Sequence, residues 1–214
     1  ENNIIQDCFI GNVNNDLRSR YGIYFGNSTN SNNTITGNTI YDFLSAGIYL
    51  YSLNGGLIEK NEILLEVAST FTNVNGILIS DPGTEVLTIS KNKIHSLNGT
   101  ASSEIKGIYL DNSFSSGKIS VENNSIILSP TTTGTVDGID IAMYTNNYIN
   151  LYYNSIYIGG SLTSGSSKSY SLRKREEVGT LSIKNNVFYN CRYNNGGSGA
   201  HYSIYLSNTT GVLN

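Results

Sequence analysis

Apolar residues along the chain recur in short alternating runs, each interrupted by polar residues, and one six-residue phrase returns with them. It reads Ile35-Thr-Gly-Asn-Thr-Ile40, then Ile58-Glu-Lys-Asn-Glu-Ile63, Ile89-Ser-Lys-Asn-Lys-Ile94, Val121-Glu-Asn-Asn-Ser-Ile126, Leu151-Tyr-Tyr-Asn-Ser-Ile156 and Ile183-Lys-Asn-Asn-Val-Phe188. A degenerate copy, Ile5-Gln-Asp-Cys-Phe-Ile10, precedes them. A second phrase alternates with the first: Gly22-Ile-Tyr-Phe25, Gly47-Ile-Tyr-Leu50, Gly76-Ile-Leu-Ile79, Gly107-Ile-Tyr-Leu110 and Gly138-Ile-Asp-Ile141. Weaker echoes stand at Ser169-Tyr-Ser-Leu172 and Ser203-Ile-Tyr-Leu206. Copies of the first phrase start 23 to 32 residues apart, within the range of solenoid repeats.

Period-two alternation marks strands with one buried face. Each repeat holds three such strands: one before the asparagine, one after it, and one on the Gly-Ile phrase. Stacked in register they predict an all-β fold of about seven turns, with three parallel sheets around a narrow apolar core. Parallel crossovers are right-handed in nearly every protein, so the coil is expected to be right-handed. The variable repeat length excludes a strict six-residue left-handed coil.

Asn38, Asn61, Asn92, Asn124, Asn154 and Asn186 fall at the bend between two strands. An amide carries both donor and acceptor, so copies stacked one above another can bond each other and the turn backbone as an inward ladder. The tight bend calls for a left-handed residue, and asparagine, which tolerates that conformation, is expected to supply it. Cys8 takes the ladder position of the first turn and is expected to be small and buried.

Charged residues make up 14% of the chain and net charge is −3, which argues against nucleic acid or an anionic membrane as the main partner. No apolar run approaches the 18 or so residues of a membrane-spanning helix. Cys8 and Cys191 belong to the first and last turns, too far apart to bridge within one molecule. The polar connections Asn12–Ser19, Ser96–Glu104, Ser129–Thr135 and Gly159–Ser169 should wall one side of the Gly-Ile sheet. The chain runs from the strand before the first corner to Leu213-Asn214, where that strand would begin again. Residues 1–214 therefore read as a single domain, either a segment of a longer solenoid or a unit that stacks end to end.

The alternation of Ile-x-x-Asn-x-Ile with Gly-Ile-x-Leu resembles the right-handed parallel β-helix superfamily over essentially the whole chain. That group includes pectate lyases, polygalacturonases, phage tailspikes, NosD-like periplasmic proteins and long secreted bacterial surface proteins, which the Asn- and Tyr-rich wording resembles most. Because one fold serves many activities, the resemblance speaks for fold and leaves function to the residues. In catalytic members the outer face of the sheet matching Gly-Ile-x-Leu floors a polysaccharide groove. On this chain that face would present Tyr24, Tyr49, Leu78, Tyr109, Asp140, Ser171 and Tyr205 in one column. Gly26, Tyr51, Ser80, Asp111, Ala142, Arg173 and Ser207 would form the next. Tyr24, Tyr49, Tyr109 and Tyr205 are candidate sugar-stacking residues, although a tyrosine ladder packing on itself is the plainer reading.

Asp111 and Asp140, on neighbouring turns, would lie with Cα atoms about 8 Å apart. Carboxylates separated by about 6.5–9.5 Å suit inverting glycoside hydrolysis. Asp137, Lys106 and Arg173 would edge the same patch, which reads either as a catalytic cluster or as a solvated polar face. The polygalacturonase signature is missing, no column of acidic residues suggests calcium, and His95 and His201 are too far apart to pair, so no metal or cofactor is expected. His95 should point outward beside Ile94.

The function expected from these features is a non-catalytic extracellular or cell-surface solenoid. It would serve as a structural, adhesive or filament segment that contacts glycans through its tyrosines and associates end to end. The rival is a polysaccharide-acting lyase, hydrolase or epimerase using Asp111, Asp137, Asp140, Lys106 and Arg173; a tailspike-like trimer is a third reading.

Overall fold

The structure, a computed structural model, describes residues 2–12, 17–26, 31–52, 54–112, 117–143, 147–176, 179–207 and 212–213. Part of the predicted loop Asn12–Ser19, and Asn214 at the chain's end, fall outside these residues. The alternating runs form three parallel sheets of eight, seven and seven strands, each strand pairing with its equivalent one turn away. The first sheet carries the strands before the asparagine, such as Asn54–Glu59, Val86–Ser90 and Lys118–Glu122. The second carries the short strands after it, such as Glu62–Leu64, Lys93–His95 and Ser125–Leu128. The third carries the Gly-Ile phrase, as in Asn73–Ser80, Glu104–Asn112 and Val136–Met143.

β-branched residues suit this pleated, half-buried environment, and their columns fill the interior. Ile35, Ile58, Ile89 and Val121 stack from the first sheet, Ile40, Ile63, Ile94 and Ile126 from the second, and Ile48, Ile77, Ile108 and Ile139 from the third, all buried. Where the Gly-Ile phrase opens, a side chain would not fit. A Cβ on Gly138 would stand 2.3 Å from Ile156 Cγ2 and 2.6 Å from the Ser171 carbonyl. The glycine also interrupts the alternation, so that Ile105 and Ile108, three residues apart, are both buried while Lys106 between them lies on the outer side.

The six asparagines stack as expected. Each Nδ2 from Asn38 to Asn154 donates to Oδ1 of the next asparagine at 2.9–3.0 Å, and each backbone N–H donates to the same oxygen at 2.8–3.1 Å. The second Nδ2 hydrogen goes to a carbonyl of the preceding turn, for example Asn124 to Ile89 at 2.9 Å. Amides in the middle of the ladder thus satisfy two donors and two acceptor sites, which removes the desolvation penalty of burying them.

Two expectations about the corner need correction. The ladder asparagines are not the left-handed residues; their predecessors are: Gly37, Lys60, Lys91, Asn123, Tyr153 and Asn185, as is Asp7 ahead of Cys8, with φ of 53–67°. The predecessor makes the turn, which frees the next side chain to aim inward, so the ladder position is chosen for its amide rather than its backbone. Cys8 is exposed rather than buried. Its N–H donates to Asn38 Oδ1 at 3.0 Å, continuing the ladder's backbone, but its thiol sits on the outermost turn, where only one side is covered.

The connecting loops stack as well. Ser161–Leu162 pairs in parallel with Tyr193–Asn194, and single bridges join Ser69 to Gly99 and Thr131 to Ser161. Arginines pin them: Arg18 donates to the Val67 and Ala68 carbonyls at 2.9 Å, and buried Arg192 donates to the carbonyls of Thr132, Gly134 and Ser161. Burial pushes the Arg192 guanidinium down to about 10.

Candidate functional site

The outer face of the third sheet carries three columns of side chains. Register places Tyr21, Ala46, Asn75, Lys106, Asp137, Tyr170 and Tyr202 in the first, and Tyr24, Tyr49, Leu78, Tyr109, Asp140, Arg173 and Tyr205 in the second. The sixth turn departs from expectation by two residues. Ser171 takes the glycine's place and Arg173, not Ser171, lies beside Asp140. Arg175 then occupies the third column, its N–H donating to the Ile141 carbonyl. Lys174 follows Ile141 on the core side and is buried.

This shift gathers two arginines on one carboxylate. Arg173 Nε and Nη2 donate to Asp140 Oδ1 and Oδ2 at 3.2 and 3.1 Å. Arg175 Nε donates to Oδ1 at 2.9 Å, and its Nη2 donates to Oδ2. Two such forks hold a carboxylate geometrically as well as electrostatically. Asp137 is enclosed to the same degree, both aspartates having no exposed surface. Arg173 Nη2 comes within 2.9 Å of Asp137 Oδ2, but neither oxygen receives a well-directed hydrogen bond, because that nitrogen is aimed at Asp140. Burial, and then the Asp140 charge, push the Asp137 carboxyl up to about 8, against the pull of Arg173, Lys106 and Arg175. Lys106, also buried, lies 3.2 Å from Glu104 and 3.7 Å from Asp140, with its ammonium 4.0 Å from the centre of the Tyr109 ring. Burial and the neighbouring Asp111 raise the Tyr109 phenol to about 12.

Lys106, Asp137, Asp140 and Arg173 are therefore brought together, but as an enclosed ionic cluster rather than a solvated face. Asp111 stands in the third column, opposite Ala142, on the same patch but outside the ion pairs. Tyr109 stays mid-sheet against Lys106, and the other tyrosines of this face divide between its two ends. Tyr21, Tyr24, Tyr49 and Tyr51 pack with ring centres 5.1–6.5 Å apart at one end. Tyr170, Tyr202 and Tyr205 pack at 5.3–5.6 Å at the other. Tyr24 is the most open, with 54% of its surface exposed.

Between the first tyrosine cluster and the ionic cluster lies a cleft of about 450 Å³, lined by Arg20, Tyr21, Ser45, Tyr49, Phe71, Thr72, Asn73, Asn75, Leu78, Lys106 and Tyr109. Phe71 comes from a loop that sequence reasoning passed over, and Arg20 bridges it to the sheet, its guanidinium 5.6 Å from the Phe71 ring and 5.2 Å from Tyr21. Asn75 is buried; its Nδ2 donates to the Ser45 carbonyl at 3.3 Å, and its Oδ1 has no partner. An aromatic-walled cleft edged by two cations suits a polar ligand that also offers an apolar face. Among the described residues no group of three or more His, Cys, Asp or Glu side chains is placed to hold a metal ion.

These features agree with comparison to known proteins. Residues 1–150 match the family described as the right-handed β-helix region, and the chain belongs to that family. The solved structure of the Streptococcus pneumoniae surface protein and adhesin PfbA superposes on it with a TM-score of 0.54 and 18% sequence identity. The match covers 94% of this chain and 48% of PfbA, so the chain spans about half the length of that relative. At this identity the likeness is one of fold. No curated protein matches the sequence.

Proposed function

We propose that the chain is a rigid surface-displayed β-solenoid whose third sheet binds glycans without cleaving them. The carrying observation is the cleft on the third sheet, walled by the rings of Tyr21, Tyr49, Tyr109 and Phe71. Sugars match that chemistry, since their hydroxyls donate hydrogen bonds and their C–H faces pack on aromatic rings. The shared fold with a streptococcal surface protein and adhesin supports display at the cell surface and an adhesive role.

Binding to a panel of neutral and acidic polysaccharides by affinity electrophoresis tests the proposal. Retardation that is lost in both Tyr49→Ala and Asn75→Leu, with the melting temperature retained, is the expected result. Retardation unaffected by either variant would refute the assignment to this cleft.

One observation favours the catalytic alternative: the raised Asp137 carboxyl keeps its proton at neutral pH, as a general acid must. Against it stand the full burial of Asp137 and Asp140 and the four hydrogen bonds that occupy Asp140. New reducing ends released by the native chain and abolished in Asp137→Asn would establish that alternative.

A further inference from the structure

The second sheet carries a separate constellation. Glu62, Lys93 and His95 lie on neighbouring strands, Lys93 directly opposite Glu62. Ser96 follows in a left-handed turn, φ 55°, which swings its hydroxyl back onto the preceding imidazole. Ser96 Oγ stands 2.9 Å from His95 Nδ1, and His95 Nε2 stands 3.0 Å from Glu62 Oε1. An ionised carboxylate at Nε2 accepts the proton on that nitrogen, which fixes the tautomer with Nδ1 bare and facing the serine. Lys93 Nζ, 2.7 Å from the same Glu62 oxygen, together with His95 holds the Glu62 carboxyl below its usual range, so the orienting charge is present.

His95 and Ser96 open onto a cavity of about 520 Å³, separate from the cleft on the third sheet, whose wall includes Leu65, Ala68, Leu97, Ile127 and Asn98. Asn98 Oδ1 accepts the Gly99 N–H at 2.9 Å, which leaves its Nδ2–H as a side-chain donor on that wall beside Lys93 and Ser129. Hydroxyl, base and orienting carboxylate in one hydrogen-bonded chain define an activated nucleophile whatever the fold that carries it, here with Nδ1 rather than Nε2 toward the serine.

We propose that Ser96, His95 and Glu62 form a hydrolytic site for esters of short-chain carboxylic acids, with the acyl group against the apolar wall of this cavity. Ser96 Oγ bonds to the ester carbonyl carbon as its proton passes to His95 Nδ1. The tetrahedral adduct, its oxygen met by Asn98 Nδ2–H, collapses by breaking the C–O bond to the alcohol, which leaves with the proton from His95. Water then adds to the acyl-serine, giving one proton to His95 Nδ1, and the carboxylic acid departs as that proton returns to Ser96 Oγ. The net reaction is ester plus water to acid plus alcohol, with no oxidant or further reactant. Glu62 acts as a positioning residue.

The test is hydrolysis of p-nitrophenyl acetate and butyrate by the full chain, with organophosphonate labelling read by peptide mass spectrometry. Ser96→Ala and His95→Asn should each lower kcat/KM by on the order of 10²–10⁴-fold. Glu62→Gln should lower it less, mainly through kcat, and the phosphonyl mass should map to Ser96. Because Ser96 is exposed, Ser96→Ala should melt with the native chain, so that loss of rate cannot be ascribed to unfolding. Native turnover equal to that of Ser96→Ala, or label absent from Ser96, would overturn the proposal. Glycan retention by the third sheet is scored separately and can survive or fail independently.

Discussion

Replacing Asn124 with leucine tests the ladder where it is complete. The native side chain makes four hydrogen bonds: Nδ2 donates to the Ile89 carbonyl and to Asn154 Oδ1, and Oδ1 accepts the Asn92 N–H and Nδ2–H. Leucine leaves two buried donors wanting, the Asn92 backbone N–H and one Asn92 Nδ2–H. The Ile89 carbonyl keeps its place in the ladder between strands Val86–Ser90 and Lys118–Glu122, and Asn154 Oδ1 keeps the residue 124 backbone N–H. At about 1–3 kcal/mol per orphaned group, less about 2 kcal/mol for the added apolar burial, the net loss should be about 2 kcal/mol. In a domain of this size that lowers the melting temperature by about 4–8 °C. Thermal and urea melts followed by circular dichroism read it directly. Asn124→Asp sharpens the test. An ionised carboxylate accepts but cannot donate, so it would face the Ile89 carbonyl and Asn154 Oδ1 as a third acceptor. Burial raises its pKa above the unfolded value of about 3.9, so the deficit against the native chain should be small below that pH and grow as pH rises. A loss under about 1 kcal/mol for the leucine variant, or a pH-independent deficit for the aspartate, would refute a satisfied amide column.

Other outcomes follow from the ionic cluster and the packed glycine. Asp137, raised from 3.8 to about 8 in the fold, binds a proton more tightly folded than unfolded, so its contribution to stability is complete below about pH 4 and lost as pH climbs through 8. Melts from pH 5 to 9 should show that decline, and Asp137→Asn should flatten it. Asp140→Ala leaves Arg173, Arg175 and Lys106 around an empty anion position and should destabilise by about 3–5 kcal/mol, measured by urea denaturation. Gly138→Ala drives a methyl into Ile156 and the Ser171 carbonyl and should lower stability by about 1–3 kcal/mol; an unchanged melt would mean the Gly-Ile phrase can shift without strain.

The columns were legible because each one repeats. Ile63, Ile94 and Ile126 carry the same burden turn after turn, and the spacing between Asn92 and Asn124 follows from it. What happens once was harder to read. In the sixth turn Ser169-Tyr-Ser-Leu172 echoes the phrase, yet the chain seats Ser171 in the glycine's place and brings Leu172 beside Ile139. Two residues of displacement turned a scattered acidic patch into a carboxylate gripped by Arg173 and Arg175. Arg18 and Arg192 bind carbonyls contributed by loops about 50 and 60 residues away, a contact with no periodic trace in the sequence. Phe71 and Asn75 acquire meaning only when the loop and the sheet are seen side by side. The Ser96–His95–Glu62 chain had a visible first half, serine beside histidine, but its third member comes from the turn below.

The amide ladder has a direction. From Asn38 to Asn154 every Nδ2 hands its hydrogen forward to the next oxygen, so the carboxamide dipoles point the same way and polarise one another. The coil is thus an electrical arrow, with acceptors leading on its N-terminal side and donors on the other. Any coil that joined either pole would have to arrive in the same sense, since an inverted arrival would set hydrogen against hydrogen or oxygen against oxygen.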